Sequence, residues 1–344
     1  MASPQDVQAK LDQAVAALKQ TTVGYINRKW TTPPPGTNWA NALTLIAAAR
    51  AEAGQLVAPT APAPVPPPPS SGPWAWDATQ AAIDPNSAAM ISTWLATNGG
   101  GYYFEASVAR ADTDGGSPAY AISGGGPFDA SVYIPVGTQP GHNSDHHLTV
   151  QDPVHSRQSD LWEASFNGSV WSCQGGTSFA PGAVQEPAPG NSNAARFPLI
   201  EGLITPADIA GGAILHPLVF SMANVGSPTR YPANGQAPGG TGLGLGTWLR
   251  LDPTVNVDAL ILPTLEKLMC YALQQYGMFL RDLGSNVAIY ALDAVNQGGQ
   301  ATSWGAVGVT LPITNPAYSP AYPYARQLGP IPWSRMQVLT PPSP

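Results

Sequence analysis

Apolar residues change their spacing along the chain, and each change marks a different kind of segment. Near the N-terminus they recur every three to four positions: Val7, Leu11, Val15 and Leu18, then Trp39, Leu43 and Ile46. That is the period of an amphipathic helix. Ser3-Pro4 supplies a cap with proline at the first helical position, and Gly54 closes the second stripe. A helical hairpin is predicted over residues 1–55. Two short helices bury little core alone, so their stripes are expected to dock on copies of themselves or on another protein. The pattern then vanishes into APTAPAPVPPPPSSGP, a polyproline II spacer over residues 56–73.

From residue 74 the period shortens to two. After a helix that begins at Asp84-Pro85 and carries Met90, Ile91, Trp94 and Leu95, strand-like runs follow: YYFEASVA, AYAIS, SVYIPV, HHLTVQD, DLWEASF and SVWSCQ. Gly, Pro and Asn-Gly turns separate them, the punctuation of sandwiches and jelly rolls. Thr205-Pro206 opens a short helix. ILHPLVFSM, TWLRLD and Asn286–Leu292 read as further strands, and a long helix is predicted from about Pro263 to Leu283. The tail after Gly298 reads as irregular chain wrapping the surface. The expected fold of residues 74–344 is mainly β, a β-sandwich or jelly-roll-like domain with accessory helices.

Composition narrows the function. The 344 residues carry 14 Lys and Arg against 21 Asp and Glu, a net charge of -7. Nucleic acid and anionic membrane surfaces both demand a basic face, so neither is an expected partner. MASPQDVQAK lacks an apolar leader, and no apolar run approaches a membrane span. Cys173 and Cys270 both sit among apolar neighbours and are expected to be buried free thiols. With no P-loop, no strand–GxGxxG–helix unit and only two cysteines, no cofactor and no metal are expected.

The chemistry candidates cluster in the centre. If the turn between HHLTVQD and DLWEASF is centred on His155, Leu148, Val150, Trp162, Ala164 and Phe166 mark the core face. His147 then lies across from Glu163 on the other face, with Asp145 beside it. These three could perform general acid–base work on a glycosidic or ester bond, or hold a divalent ion; equally, they could form the solvated face of an antiparallel sheet. His216 lies in an apolar strand, where a hydrogen-bonded core histidine is the ordinary outcome. Arg250 and Asp282 are candidate ligand-binding charges. GGTSFAPG resembles the serine motif of subtilisin-like proteases but is a residue short, and Asp112-Thr113-Asp114-Gly115 begins a calcium loop that nothing closes.

Five stretches together resemble an uncharacterised family of bacterial, mostly secreted domains: SDHHLTVQD, DLWEASF, EGLITPADIAGGAILHPLVFSM, GTWLRLDPTVNVDAL and ALQQYGMFLRDLGSN. The resemblance covers about residues 132–292. That family occurs alongside carbohydrate-binding modules, which implies extracellular work on glycan, by binding or by cleavage. Asp145, His147, Glu163, His216, Arg250 and Asp282 fall within the shared motifs. The whole layout, helical anchor then Pro/Ala linker then β-rich distal domain, is similar to tail or fibre proteins of phages of high-GC actinobacteria. The leading expectation is a virion structural protein: a tail-associated, oligomeric component that joins other virion proteins through residues 1–55 and contacts host cell-wall glycan. A glycan-cleaving hydrolase or lyase, and a decoration protein without ligand, are the alternatives.

Overall fold

A computed structural model describes residues 72–97, 101–181, 191–236, 239–311 and 324–342. The predicted adaptor, and the linker as far as residue 71, lie outside the described residues. The chain divides at Ala63/Pro64, and every described residue belongs to the second unit.

The strands, in chain order, are β1 (Tyr102–Asp112), β2 (Ala119–Tyr120), β3 (Ser123–Gly124), β4 (Val132–Tyr133), β5 (His147–Asp152), β6 (Arg157–Trp162), β7 (Ser165–Phe166), β8 (Trp171–Cys173), β9 (Gly175–Phe179), β10 (Leu218–Met222), β11 (Trp248–Leu251), β12 (Met278–Leu283), β13 (Val287–Asp293), β14 (Ala325–Gln327) and β15 (Met336–Leu339). Among the described residues four α-helices accompany them: α1 (Ser87–Thr97), α2 (Pro206–Gly211), α3 (Thr264–Gln275) and α4 (Gln300–Ala306). The fold is mainly β, as expected. Ten strands form one sheet with the path β15-β11-β12-β10-β13-β1-β5-β6-β9, and β14 pairs onto β1.

That sheet is mixed. β1 runs parallel to β13 on one side and to β5 on the other, and β10 runs parallel to β12. Jelly rolls are built from antiparallel pairs; here the parallel pairs are joined by long crossovers, the one from β10 to β12 carrying the helix Thr264–Gln275 and the one from β1 to β5 carrying only short strands. β1 is the axis. Its N-terminal half takes β14 along the same edge whose C-terminal half takes β5, with a bulge between Ala106 and Val108 on the β13 side.

Two hydrophobic cores fill the unit. The larger collects Phe104, Phe220, Trp248, Phe279, Ile289 and Trp304, all at most 1% exposed. α3 buries Leu265, Leu268, Met269, Ala272 and Leu273, and α1 buries Ile91 and Trp94. Trp94 meets Trp333 edge-on, and Trp333 stacks flat on Tyr102 at 4.4 Å. The smaller core lies on one face of β5 and β6, where Leu148, Val150 and Leu161 meet Val132, Trp171 and Cys173.

Two expectations need correction here. The long helix stops at Gln275, because Gly277 adopts φ 74° and turns the chain into β12; Asp282 is therefore a strand residue. The tail is not a surface wrap. It supplies β14 and the edge strand β15 to the main sheet, and Trp304 and Trp333 enter the core. Cys173 and Cys270 are buried free thiols, as expected.

Candidate functional site

β5 and β6 pair Leu148 with Leu161, Thr149 with Asp160 and Asp152 with Arg157. The register is one residue away from the one that would place His147 opposite Glu163. A one-residue slip exchanges the two faces of a strand, so Leu161 rather than Trp162 joins the core with Leu148. Trp162 lies on the other face, along with Asp160, Thr149 and His147.

This second face is polar, yet it is not solvated: His147, Thr149, Gln158 and Asp160 are each at most 1% exposed. The segment from Asn191 to Leu199 covers it. The Leu199 amide donates to Asp160 Oδ2 at 2.7 Å, while Thr149 and Gln158 donate to Oδ1 at 2.7 and 2.9 Å. Burial still outweighs these bonds and pushes the Asp160 carboxyl up to about 6. Arg281, fully buried, donates to the Leu199 carbonyl at 3.0 Å and lies 4.3 Å over the Tyr290 ring. Asp160 and Arg281 thus hold the two peptide groups that flank the Leu199 α-carbon.

The segment also seals His147. Its Nε2–H donates to the Ser192 carbonyl at 2.9 Å, Nδ1 has no partner among the described residues, and burial with Arg281 nearby pushes the ring down to about 3. The imidazole is enclosed and does not line the cleft described below. Glu163 is half-buried, just past the end of β6 with φ 50°, and bonds to Gln174. The expected His147–Glu163 pair does not form.

Where the covering segment meets the open end of the hairpin, a cleft of about 360 Å³ remains, lined by Asp145, Trp162, Asn191, Ser192, Asn193, Ala194, Asp282 and Leu283. Asp145 and Asp282, both singled out from sequence, come together here from the loop before β5 and the end of β12. Asp282 Oδ1 accepts from the Ala194 amide at 3.1 Å and the Leu283 amide at 2.9 Å. Burial raises Asp282 to about 6, against the pull of Arg281 and with a further push from Asp145. Burial raises Asp145 as well, opposed by the Trp162 indole, which donates to it. No lysine or arginine lines the cleft.

The remaining candidates lie elsewhere. Arg250 is buried and donates to the Ala78 carbonyl at 2.6 Å and to Gln337 at 2.9 Å, fastening the segment before α1 to β11 and β15. His216 precedes β10 instead of lying within it. Its Nδ1–H donates to the Pro217 carbonyl at 2.9 Å, and Nε2 lies 3.6 Å from Asp208, the residue that completes the capping box of α2. Neither lines the cleft.

Two other hollows carry charged groups that satisfy one another. One, about 250 Å³, holds the Arg157–Asp129 and His155–Asp152 pairs; another, about 380 Å³, holds Arg110–Asp112. The Asp145–Asp282 cleft differs from these two in having carboxylates without a lysine, arginine or histidine in its lining. Sequence reading missed Trp162, Arg281 and the Ser192–Ala194 wall; the Arg-Asp doublet inside the apolar run FLRDL was the available signal. Comparison with family models, with curated proteins and with solved structures finds no match.

Proposed function

We propose that this chain is a virion structural protein whose distal unit contacts host cell-surface glycan through the Asp145–Trp162–Asp282 cleft. One observation carries the reading: an indole and two carboxylates share one open cleft that contains no cation. An indole offers a flat apolar face with a polar edge, which suits the C–H face of a pyranose, and carboxylates accept strongly from sugar hydroxyls. The lack of lysine and arginine disfavours phosphates and polyanions and favours neutral or amino sugars. The volume falls near the lower end of small-ligand sites, about 300–1,000 Å³, enough for a short saccharide segment.

Such a site binds weakly alone, so oligomerisation through residues 1–55 onto other virion proteins belongs to the same proposal, because linked sites gain avidity. The sandwich expectation enters it in a local sense: β8, in the small sheet, faces β5 and β6 across the second core and backs the hairpin that carries Trp162. The test uses the full chain and insoluble cell wall from an actinobacterial host. Wild-type protein should sediment with the wall, and Trp162→Ala should lower retention at least tenfold. Equal retention of the two proteins would sink the assignment.

A further inference from the structure

We infer that the cleft also cleaves what it holds: Asp282 is the proton donor and Asp145 the base of a glycoside hydrolase site. This rests on the glycan reading above. Glycoside hydrolysis needs two carboxyl groups flanking one bond in different protonation states, and the cleft brings Asp145 and Asp282 together from separate elements. Their hydrogen bonding differs. Asp282 is fixed at Oδ1 by two backbone amides, and no bond to its other oxygen is made among the described residues, which leaves that oxygen to carry and deliver a proton. Asp145 is addressed by the indole N–H of Trp162, a donor that favours its ionised form. Burial raises both carboxyls, so the pair favours holding one proton over two charges, and the unbonded oxygen of Asp282 is where that proton is placed.

The covering wall supplies rigidity. Ser192–Ala194 is tied to Asp282 through the Ala194 amide, to His147 through the Ser192 carbonyl, and to β12 through the Ala195 amide, which donates to the Arg281 carbonyl at 2.9 Å. The reaction balances with water alone. Asp282 transfers its proton to the glycosidic oxygen as the bond from that oxygen to the anomeric carbon breaks. The oxygen of water bonds to the anomeric carbon while Asp145 takes a proton from it. Exchange with solvent then restores Asp282–H and Asp145 carboxylate.

The experiment incubates the full chain with purified actinobacterial peptidoglycan and arabinogalactan, reading sedimentation and newly formed reducing ends together. Wild type should release reducing ends from one of them, and the rate should fall as pH rises past about 6, where Asp282 loses its proton. Asp282→Asn and Asp145→Asn should each slow release at least 100-fold, the usual contribution of general acid–base catalysis, a far larger fall than either shows in sedimentation with the wall. Glu163→Gln, outside the cleft, should match wild type. Asp145→Asn is the cleaner of the two if Asp282→Asn disturbs the Ala194 contact, and circular dichroism checks both. Retention without release overturns cleavage and leaves the binding reading standing. Neither retention nor release overturns both. Release unaffected by both substitutions overturns the assignment of the residues.

Discussion

Gly277 is the hinge on which the position of Asp282 depends, and its substitution by alanine can be worked through in numbers. The residue adopts φ 74°, and a Cβ there would stand 2.3 Å from the Leu249 carbonyl oxygen and 2.7 Å from Trp248 Nε1. Gly308, just past α4, has the same φ but would place a Cβ in open space. The left-handed conformation costs alanine about 1 kcal/mol at either site. At Gly277 the new methyl must also push a strand carbonyl back by about 1 Å. Overpacking of this kind costs about 1–3 kcal/mol more. Gly277→Ala should therefore lose about 2–4 kcal/mol in urea unfolding followed by tryptophan fluorescence, and Gly308→Ala about 1 kcal/mol. Because the carbonyl belongs to β11, next to β12, Gly277→Ala should weaken glycan retention as well, while Gly308→Ala leaves it unchanged. If the two variants unfold at the same urea concentration, the close approach of helix end to strand is not what the structure describes.

Three further outcomes follow from groups outside the cleft. Arg250→Met strands the Ala78 carbonyl and should destabilise the fold by about 1.5–3 kcal/mol with no loss of wall retention at temperatures where it stays folded; reduced retention would return Arg250 to the ligand-binding residues. His142 donates through Nδ1 to buried Asp293 at 2.9 Å, and that hydrogen bond raises its pKa. A raised folded-state pKa adds stability that is complete below the unfolded value and lost as pH rises through the folded one; wild type should lose thermal stability just above pH 6.5, and His142→Gln should show no such step. Cys173 and Cys270 are buried thiols pushed up to about 11 and 12, so a thiol reagent should titrate none in native protein at pH 8 and two after denaturation.

The sequence made the element types legible where pattern and punctuation agreed. α1 forms where Asp84-Pro85 and the glycines after residue 98 place it, and Thr205-Pro206 does cap α2. The helix–strand boundary at Gly277 was hidden because Leu273, Tyr276, Leu280 and Leu283 keep a spacing a helix could use. At β5 the alternation of faces was readable, at β6 it was read one residue out, and what covered the polar face was visible at neither. A polar strand face looks solvated until a remote segment, here Asn191–Leu199, is laid over it. The register slipped because the four-residue turn Pro153–Ser156 centres between Val154 and His155. Asp145 and Asp282 were both visible as unusual carboxylates; that they meet is a property of tertiary structure, set by strands far apart in sequence.

That distance bears on how the molecule comes into being. β1 is the centre of the sheet, yet its parallel partner on the β13 side starts at Val287 and its antiparallel neighbour on the other side at Ala325. A polypeptide emerging from the ribosome therefore holds its central strand unpaired on one side until most of the unit has been synthesised. Long-range pairing of this kind makes folding slow and exposes open strand edges in the interim. Shortening the chain from the C-terminal side would prolong that exposure indefinitely: without Met336–Leu339, β11 becomes an unprotected edge. Trimmed versions should accumulate as aggregates, so a soluble working fragment has to retain Leu339.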